Sequence, residues 1–500
     1  MKVLLFVSII TLALLTAVCS AANQPTIKWR PCSYDFFKEG EQPRGSRDCA
    51  TIKVPLDYFN ISEGHTEIEL IRAKSTEQSV KGSVLVNPGG PGESGFDFVA
   101  HEGDDLVRQV KLGGYYHVIG FDPRGTHRTL PFTCGAVSIP NLIRRAHGFT
   151  LGGIDVLWDH VKSKTWDEGK RVAEQCFRAK SKTGRFIGTT HTARDMLTIV
   201  DQLMEPDRLL NYWGISYGTV LGQVFASMFP WRVGRVFLDS NLLLDNYVMS
   251  ASLGSPADAT EAFSHLLSEC FNAGPARCPL SQLAVSPFDL DSKVRGFFHR
   301  LTGSPHLVAY VEKQSWGKAM DIKRDIAKWL YSVSNWPNIA NLLFNVMTNP
   351  DGMNAPNGYP LPKRTGSWNG DTGQNAFHGI SCSDSSLRVE SVDDLYSLFR
   401  AHLAQSSFAD EVAPGDLMCA LWKFHSSEKI DMTKLQNVKT KNPILFANGK
   451  YDPITPLSHA WEASARFRGS RVLVSEGVGV GHFIVLAVLR AAHARLFFKY

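Results

Sequence analysis

The pentapeptide Gly214-Ile215-Ser216-Tyr217-Gly218 sets a serine between two glycines, after the apolar run 209–213 and before the helix-like stretch 219–229. A G-x-S-x-G at a strand-to-helix junction is the pattern of a nucleophile elbow, a sharp turn that lifts a serine hydroxyl above a sheet. The flanking glycines let strand and helix pass closely and tolerate a strained turn. The chemistry this permits is attack on an acyl carbon. A serine hydroxyl at neutral pH is a poor nucleophile, so a base must stand beside it.

Two residue types far downstream supply that need. Asp452 follows the run 444–451 and is turned by Pro453; an acid past a strand end suits the orienting partner of a histidine. Asp239, after the run 233–238, is the rival acid. Three histidines lie beyond Asp452. His482 ends the string Gly477-Val478-Gly479-Val480-Gly481-His482, whose glycines suit a loop reaching back over a sheet. His459 and His493 fall in the helix-like stretches 457–467 and 485–498 and are the weaker candidates. The order serine, acid, histidine is that of the α/β-hydrolase plan. In it His482 takes the proton of Ser216 and later gives it to the leaving group, while Asp452 fixes the imidazole tautomer and steadies its charge.

Acyl transfer also needs donors aimed at the oxyanion. Asn87-Pro88-Gly89-Gly90-Pro91-Gly92 follows the run 83–86, where the plan places a glycine-rich loop. One donor is assigned to the backbone N–H of Gly90, with Gly89 close behind, and the other to that of Tyr217. Gly90-Pro91-Gly92-Glu93-Ser94-Gly95 also satisfies G-x-G-x-x-G. Pro91 lacks an N–H for a pyrophosphate and Glu93 would repel one, so the dinucleotide reading is set aside. The chain contains neither a G-x-x-x-x-G-K-[ST] nor an H-E-x-x-H string. No metal or organic cofactor is expected.

The elements that must position these residues are short apolar runs. Those at 83–86, 117–121, 209–213, 233–238, 444–447 and 471–474 are continuous rather than alternating, as parallel strands buried on both faces are. Stretch 66–70 alternates like a half-buried strand and loses the pattern at Ile71 and Arg72. Stretch 192–203 has helical spacing. The expectation is an α/β fold: a mostly parallel sheet flanked by helices. From 242 to 400 the rhythm changes to helix-like segments at 259–270, 321–332, 339–347 and 392–400, with a Pro-, Gly- and Asn-rich loop over 349–373. This insert reads as a helical cap, with an independent helical domain as the alternative. The division expected is a leader over 1–21, a first core part over 22–241, the cap over 242–400, and a second core part over 401–500 carrying acid and histidine.

The 500 residues are 44% hydrophobic and 20% charged, with a formal net charge of +5. So small a surplus, without a long basic run, does not call for nucleic acid. Lys2, the apolar stretch 3–18 and the small residues Cys19-Ser20-Ala21 read as a cleaved secretory signal, the alternative being a membrane anchor. Eight cysteines remain, an even set that suits disulfides in an exported protein. About 105 pairings are open; pairing of chain neighbours, Cys32–Cys49, Cys134–Cys176, Cys270–Cys278 and Cys382–Cys419, is the expectation. Asn60-Ile61-Ser62 is an N-glycosylation sequon on a polar turn.

Asn87-Pro88-Gly89-Gly90-Pro91-Gly92, Asp122-Pro123-Arg124-Gly125-Thr126, Gly214-Ile215-Ser216-Tyr217-Gly218-Thr219, Asp452-Pro453-Ile454-Thr455-Pro456 and Gly481-His482 occur in this order. Together they resemble the prolyl iminopeptidase family of α/β-hydrolases, and within it the secreted tripeptidyl-aminopeptidase-like branch. The likeness spans nearly the whole mature chain. It implies a triad of Ser216, Asp452 and His482, and a cap that narrows the cleft and selects free N-termini. The chain departs at three places. Glu93 stands where the family often has a small residue. His127 follows Arg124-Gly125-Thr126, and Ser240 follows Asp239 where glycine is common. Glu93, beside the proposed oxyanion loop, is the candidate acceptor of a substrate α-ammonium, with Asp258 and Glu261 as alternatives; such a pairing suits an exopeptidase.

The expected activity is therefore that of a secreted, extracellular serine hydrolase releasing single residues or short peptides from free N-termini through an acyl-enzyme. An esterase, lactonase or thioesterase acting on a small metabolite is the alternative on the same machinery. A catalytically dead binding module is the third reading. The partners expected are a peptide or small acyl substrate, with no nucleic acid and no membrane.

Overall fold

The computed structural model describes residues 26–33, 45–108, 113–134, 158, 162, 166–249, 254–303, 315–349, 370–409 and 418–480. The expected leader, Cys19 with it, lies outside the described residues, as do positions 350–369 of the expected long loop and all of 481–500.

Nine strands build one sheet. They are β1 Arg30–Pro31, β2 Arg47–Pro55, β3 His65–Ala73, β4 Gly82–Asn87, β5 Tyr116–Phe121, β6 Leu210–Ser216, β7 Val233–Asn241, β8 Ile444–Tyr451 and β9 Arg471–Val478. Their spatial order is β1-β2-β3-β5-β4-β6-β7-β8-β9. The pairs β1–β2, β2–β3 and β3–β5 are antiparallel. Every pair from β5 to β9 is parallel. This is the α/β-hydrolase arrangement.

Burial explains which strands read clearly in the sequence. In β6, Leu210 and Tyr212 join one apolar cluster, with Leu85, Ile119 and Leu238 from neighbouring strands. Trp213 and Ile215 join another on the opposite face, with Val84, Val86 and Val118. Helices Thr189–Leu203 and Tyr217–Met228 cover the first face through Met196, Ile199, Val220 and Val224. Helix Gly95–Arg108 covers the second through Phe96 and Val99. A strand covered on both sides needs apolar residues at every position, hence the unbroken runs. The lost alternation in β3 has the same cause: Ile68 and Leu70 face the first cluster, Ile71 and Ala73 the second, and the strand continues to Ala73. Strand β2 escaped sequence reading because it opens with the buried Arg47 and Asp48. Arg47 donates to the Val99 carbonyl and to Asp104, and Arg72 pairs with Asp48.

Between β7 and β8 the described chain is helical. Helices Ala259–Ala273, Pro287–Gly303, Ser315–Trp329 and Trp336–Thr348 enclose a cluster of their own, with Phe263, Leu266, Leu267, Leu290, Ile326, Ile339 and Leu343 at its heart. Burying each such side chain is worth about 2 kcal/mol, so this cluster helps to hold the four helices together. Helix Gly370–Asp384 begins inside the expected loop. Disulfides join Cys32–Cys49, Cys134–Cys176, Cys270–Cys278 and Cys382–Cys419, each cysteine with its neighbour in the chain.

The order β5-β4-β6 puts successive connections on opposite sides of β4. In open α/β sheets, ligands bind outside the carboxyl ends of the strands at such a switch point. Asn87 ends β4 there and Ser216 ends β6.

Candidate active site

Ser216 closes β6 and directly precedes helix Tyr217–Met228, with φ +54° and ψ −119°. A non-glycine residue held at positive φ costs about 1–3 kcal/mol and persists only where the surroundings over-determine it. Here they do. The Thr219 hydroxyl donates to the Ser216 carbonyl at 2.6 Å, and the Leu242 N–H donates to the Thr219 hydroxyl at 3.1 Å. A Cβ on Gly214 would stand 2.3 Å from the Gly218 carbonyl oxygen, and one on Gly218 would stand 2.7 Å from that of Asn87. The two elbow glycines are thus required by close backbone approach.

The glycine-rich loop after β4 lies against this serine. Gly89 has φ +116°, and a Cβ there would sit 2.9 Å from Ser216 Cβ and 3.3 Å from Tyr217 N. The Gly89 N–H is engaged, donating to Asn87 Oδ1 at 3.0 Å. Gly90, the other residue weighed from sequence, has φ +97°. The Tyr217 N–H is the first of its helix and has no partner within it. Glu93 follows, half-buried, its Cγ 3.4 Å from where a Gly90 Cβ would be. Burial pushes its carboxyl up to about 7.

Asp452 stands past the end of β8, the second strand over from β6 in the sheet. It is fully buried. Its Oδ1 accepts the N–H groups of Ile454 at 3.1 Å and Thr455 at 2.8 Å. Oδ2 has no hydrogen-bond partner within ordinary geometry among the described residues. Burial lifts its pKa to about 6, against the lowering by those N–H groups and by the nearby Thr455 and Ser240 hydroxyls. A carboxylate so placed has one oxygen fixed by its own turn and one available to an imidazole N–H.

A belt of buried amides spans the gap. Asn448 Oδ1 accepts the Asn241 N–H at 2.8 Å, and its Nδ2 donates to the Thr455 carbonyl at 2.6 Å. Asn241 Nδ2 donates to the Ala447 carbonyl at 2.9 Å. Asn241 pairs in register with Ser216, so the belt runs from the elbow to the acid turn. Sequence reading missed both asparagines; their only signal is a polar residue at the end of an apolar run.

Other candidates fall elsewhere. Asp239 is buried within β7, abreast of Ile215 and Ala447. His459 lies in helix Leu457–Ala465 with Nε2 3.3 Å from Asn246 Nδ2, and burial lowers its pKa to about 4. His482 and His493 lie outside the described residues. The loop leading to His482 is described as far as Val480, whose N–H donates to the Tyr331 carbonyl at 3.1 Å. Asp258 is occupied by the Leu457 N–H, and Glu261 is exposed. Arg124 is buried and bidentate on Asp195 at 2.7 and 2.8 Å, and also holds the Pro55 and Leu56 carbonyls; it ties elements together. Asn60 is exposed on its turn, accepting from Ser62. Among the described residues no three His, Cys, Asp or Glu side chains are grouped to hold a metal, and no helix is long and apolar enough to cross a membrane.

The chain is similar to several known proteins. Residues 405–493 match the family model described as TAP-like protein, a stretch containing Asp452 and His482. Over 475 residues the chain is 24% identical to the tripeptidyl aminopeptidase of Streptomyces lividans, covering 92% of this chain and 81% of that protein. It is 29% identical over 260 residues to the serine protease Hip1 of Mycobacterium tuberculosis, covering 52% of this chain and 47% of the relative. Carboxylesterase B of the same species is 26% identical over 467 residues, covering 91% and 84%. With sheet order, elbow and relatives in agreement, the chain is a hydrolase of the α/β-hydrolase fold whose C-terminal part is similar to the TAP-like proteins.

Proposed function

We propose that this chain is a secreted serine peptidase that removes single residues or short peptides from free N-termini through an acyl-enzyme. The observation carrying it is the strained backbone of Ser216, φ +54°, at the sheet's switch point with Gly89 pressed against it. Ser216 is the nucleophile. His482 takes its proton, attack on the carbonyl gives a tetrahedral oxyanion, and the same imidazole protonates the departing amine. Water then repeats the sequence on the acyl-enzyme. Asp452 Oδ2 receives the imidazole N–H. The N–H groups of Gly90 and Tyr217 receive the oxyanion. Glu93 receives the α-ammonium of the substrate.

In this reading residues 1–21 are a leader, 22–241 and 401–500 form the core, and 242–400 form a cap over the carboxyl edge. Four disulfides suit an oxidising, extracellular compartment, and Asn60 is the proposed glycan site. The relatives named as a tripeptidyl aminopeptidase and a serine protease favour peptides. The relative named carboxylesterase B favours the second reading, a small ester or thioester.

The test is a peptide anilide with a free N-terminus beside its acetylated twin and a chromogenic ester, with fluorophosphonate labelling of Ser216. Labelling with a strong preference for the free amine is the expected result. Equal rates on the two anilides remove the ammonium role of Glu93, and ester turnover without anilide turnover selects the second reading.

A further inference from the structure

A second carboxylate is buried close to the elbow and plays no part in the triad. Asp384, at the end of helix Gly370–Asp384, lies 195 residues from Thr189 in the chain, yet the Thr189 hydroxyl donates to its Oδ2 at 2.5 Å. The Tyr247 hydroxyl donates to the same oxygen at 2.9 Å. The Thr189 N–H donates to Oδ1 at 2.9 Å. With its one proton committed to Asp384, the Thr189 hydroxyl can only accept from Tyr217, whose own hydroxyl is 2.7 Å away. The result is a one-way relay: Tyr217 O–H to Thr189, Thr189 O–H to the Asp384 carboxylate. Tyr217 and Thr189 are fully buried and Asp384 is 8% exposed. The Tyr217 and Tyr247 rings pack 5.7 Å apart.

Tyr217 is the residue after the nucleophile. Its backbone nitrogen lies 3.3 Å from where a Gly89 Cβ would be, while its side chain is tethered at the other end to Thr189. A carboxylate that fixes the tip of that side chain limits how the first turn of the helix can tilt. We propose that Asp384 is a positioning residue of the oxyanion hole, acting through Thr189 on Tyr217; this rests on the reading of the Tyr217 N–H as an oxyanion donor. Asp384 also accepts the first N–H of helix Thr189–Leu203, a purely structural duty. That duty involves neither the Tyr217 hydroxyl nor the chemistry of Ser216, so the two roles separate in experiment.

The experiment measures kcat and KM on the free-amine anilide, with thermal unfolding alongside, for Tyr217→Phe, Thr189→Val, Thr189→Ser, Asp384→Asn and the pair Tyr217→Phe with Asp384→Asn. A misplacement of about 1 Å at a reacting centre costs up to about 100-fold. Expected is a kcat loss of about tenfold or more in Tyr217→Phe and Thr189→Val, with KM within about twofold, recovery in Thr189→Ser, and a double variant no worse than its poorer single. Wild-type kcat in folded Tyr217→Phe overturns the proposal, even where Asp384→Asn fails to fold. Multiplying losses in the double variant also overturn it. Ser216→Ala measured in parallel keeps the failures apart: activity surviving there removes the nucleophile reading, whereas its loss beside an unaffected Tyr217→Phe removes only the role of Asp384.

Discussion

The elbow around Ser216 and the turn around Asp452 reach the same edge of the sheet by opposite means. Ser216 is held in an unfavourable backbone conformation by what its neighbours lack: side chains at Gly89, Gly214 and Gly218 would collide with backbone. Asp452 is held by what its neighbours supply, two N–H groups of its own turn, a turn that the Asn448 amide pins by donating to the Thr455 carbonyl. A nucleophile must be exposed and aimed, so the fold stores strain beneath it. An orienting acid must be dry and fixed, so the fold surrounds it with donors. The contrast teaches that the elbow needs a missing side chain on a distant loop, at Gly89, whereas the acid turn is held by residues within four positions of Asp452.

Substitutions probe that contrast in descending order of effect. Ser216→Ala is expected to lower kcat about 10⁶-fold with the unfolding temperature kept or raised, since alanine removes the nucleophile alone; single-turnover assays check it. Asp452→Asn is expected to cost about 10⁴-fold in kcat, because the amide favours the wrong imidazole tautomer. Gly89→Ala should cost about 100-fold, as a Cβ 2.9 Å from that of Ser216 forces the loop off the serine. Comparable loss in Asn448→Ala would erase the distinction between the halves; the expectation there is about tenfold in kcat together with about 1–3 kcal/mol of stability, from the unpaired Asn241 N–H and Thr455 carbonyl, read by denaturant unfolding.

The smallest effect concerns pH. Burial raises the Glu93 carboxyl to about 7, and only its ionised form attracts an ammonium. KM for the free-amine anilide should therefore rise as pH falls below about 7, approaching tenfold per unit, and rise again above about 8 as the substrate amine loses its proton. In Glu93→Gln the acid limb should disappear while the alkaline limb remains. An acid limb unchanged in Glu93→Gln assigns it to another group.

The same contrast decides how much was legible in the sequence. The elbow, the loop after β4 and the apolar runs announce themselves within a few residues, because close approach demands glycine and double-sided burial demands unbroken apolar stretches. The turn at Asp452 was legible only with a histidine expected beyond it. Asp384 was not legible at all: it sits in Ser383-Asp384-Ser385, polar and unremarked, and gains its partners Thr189 and Tyr247 only when the helical segment folds back. Arg124 stood in a visible motif, yet its clasp on Asp195 depends on a helix 71 residues away. Strand β2 was hidden by the charged pair that begins it.

The hydrogen bond from Val480 to the carbonyl of Tyr331 carries a practical lesson for redesign. Exchanging the helical insert for a related one would look like a way to change selectivity and nothing else. Yet the graft would also cut the anchorage of the strand-nine exit, two residues short of His482. A chimera with an exchanged helical segment should thus be screened first for reactivity toward a small, unselective acylating probe, and only afterwards for substrate preference.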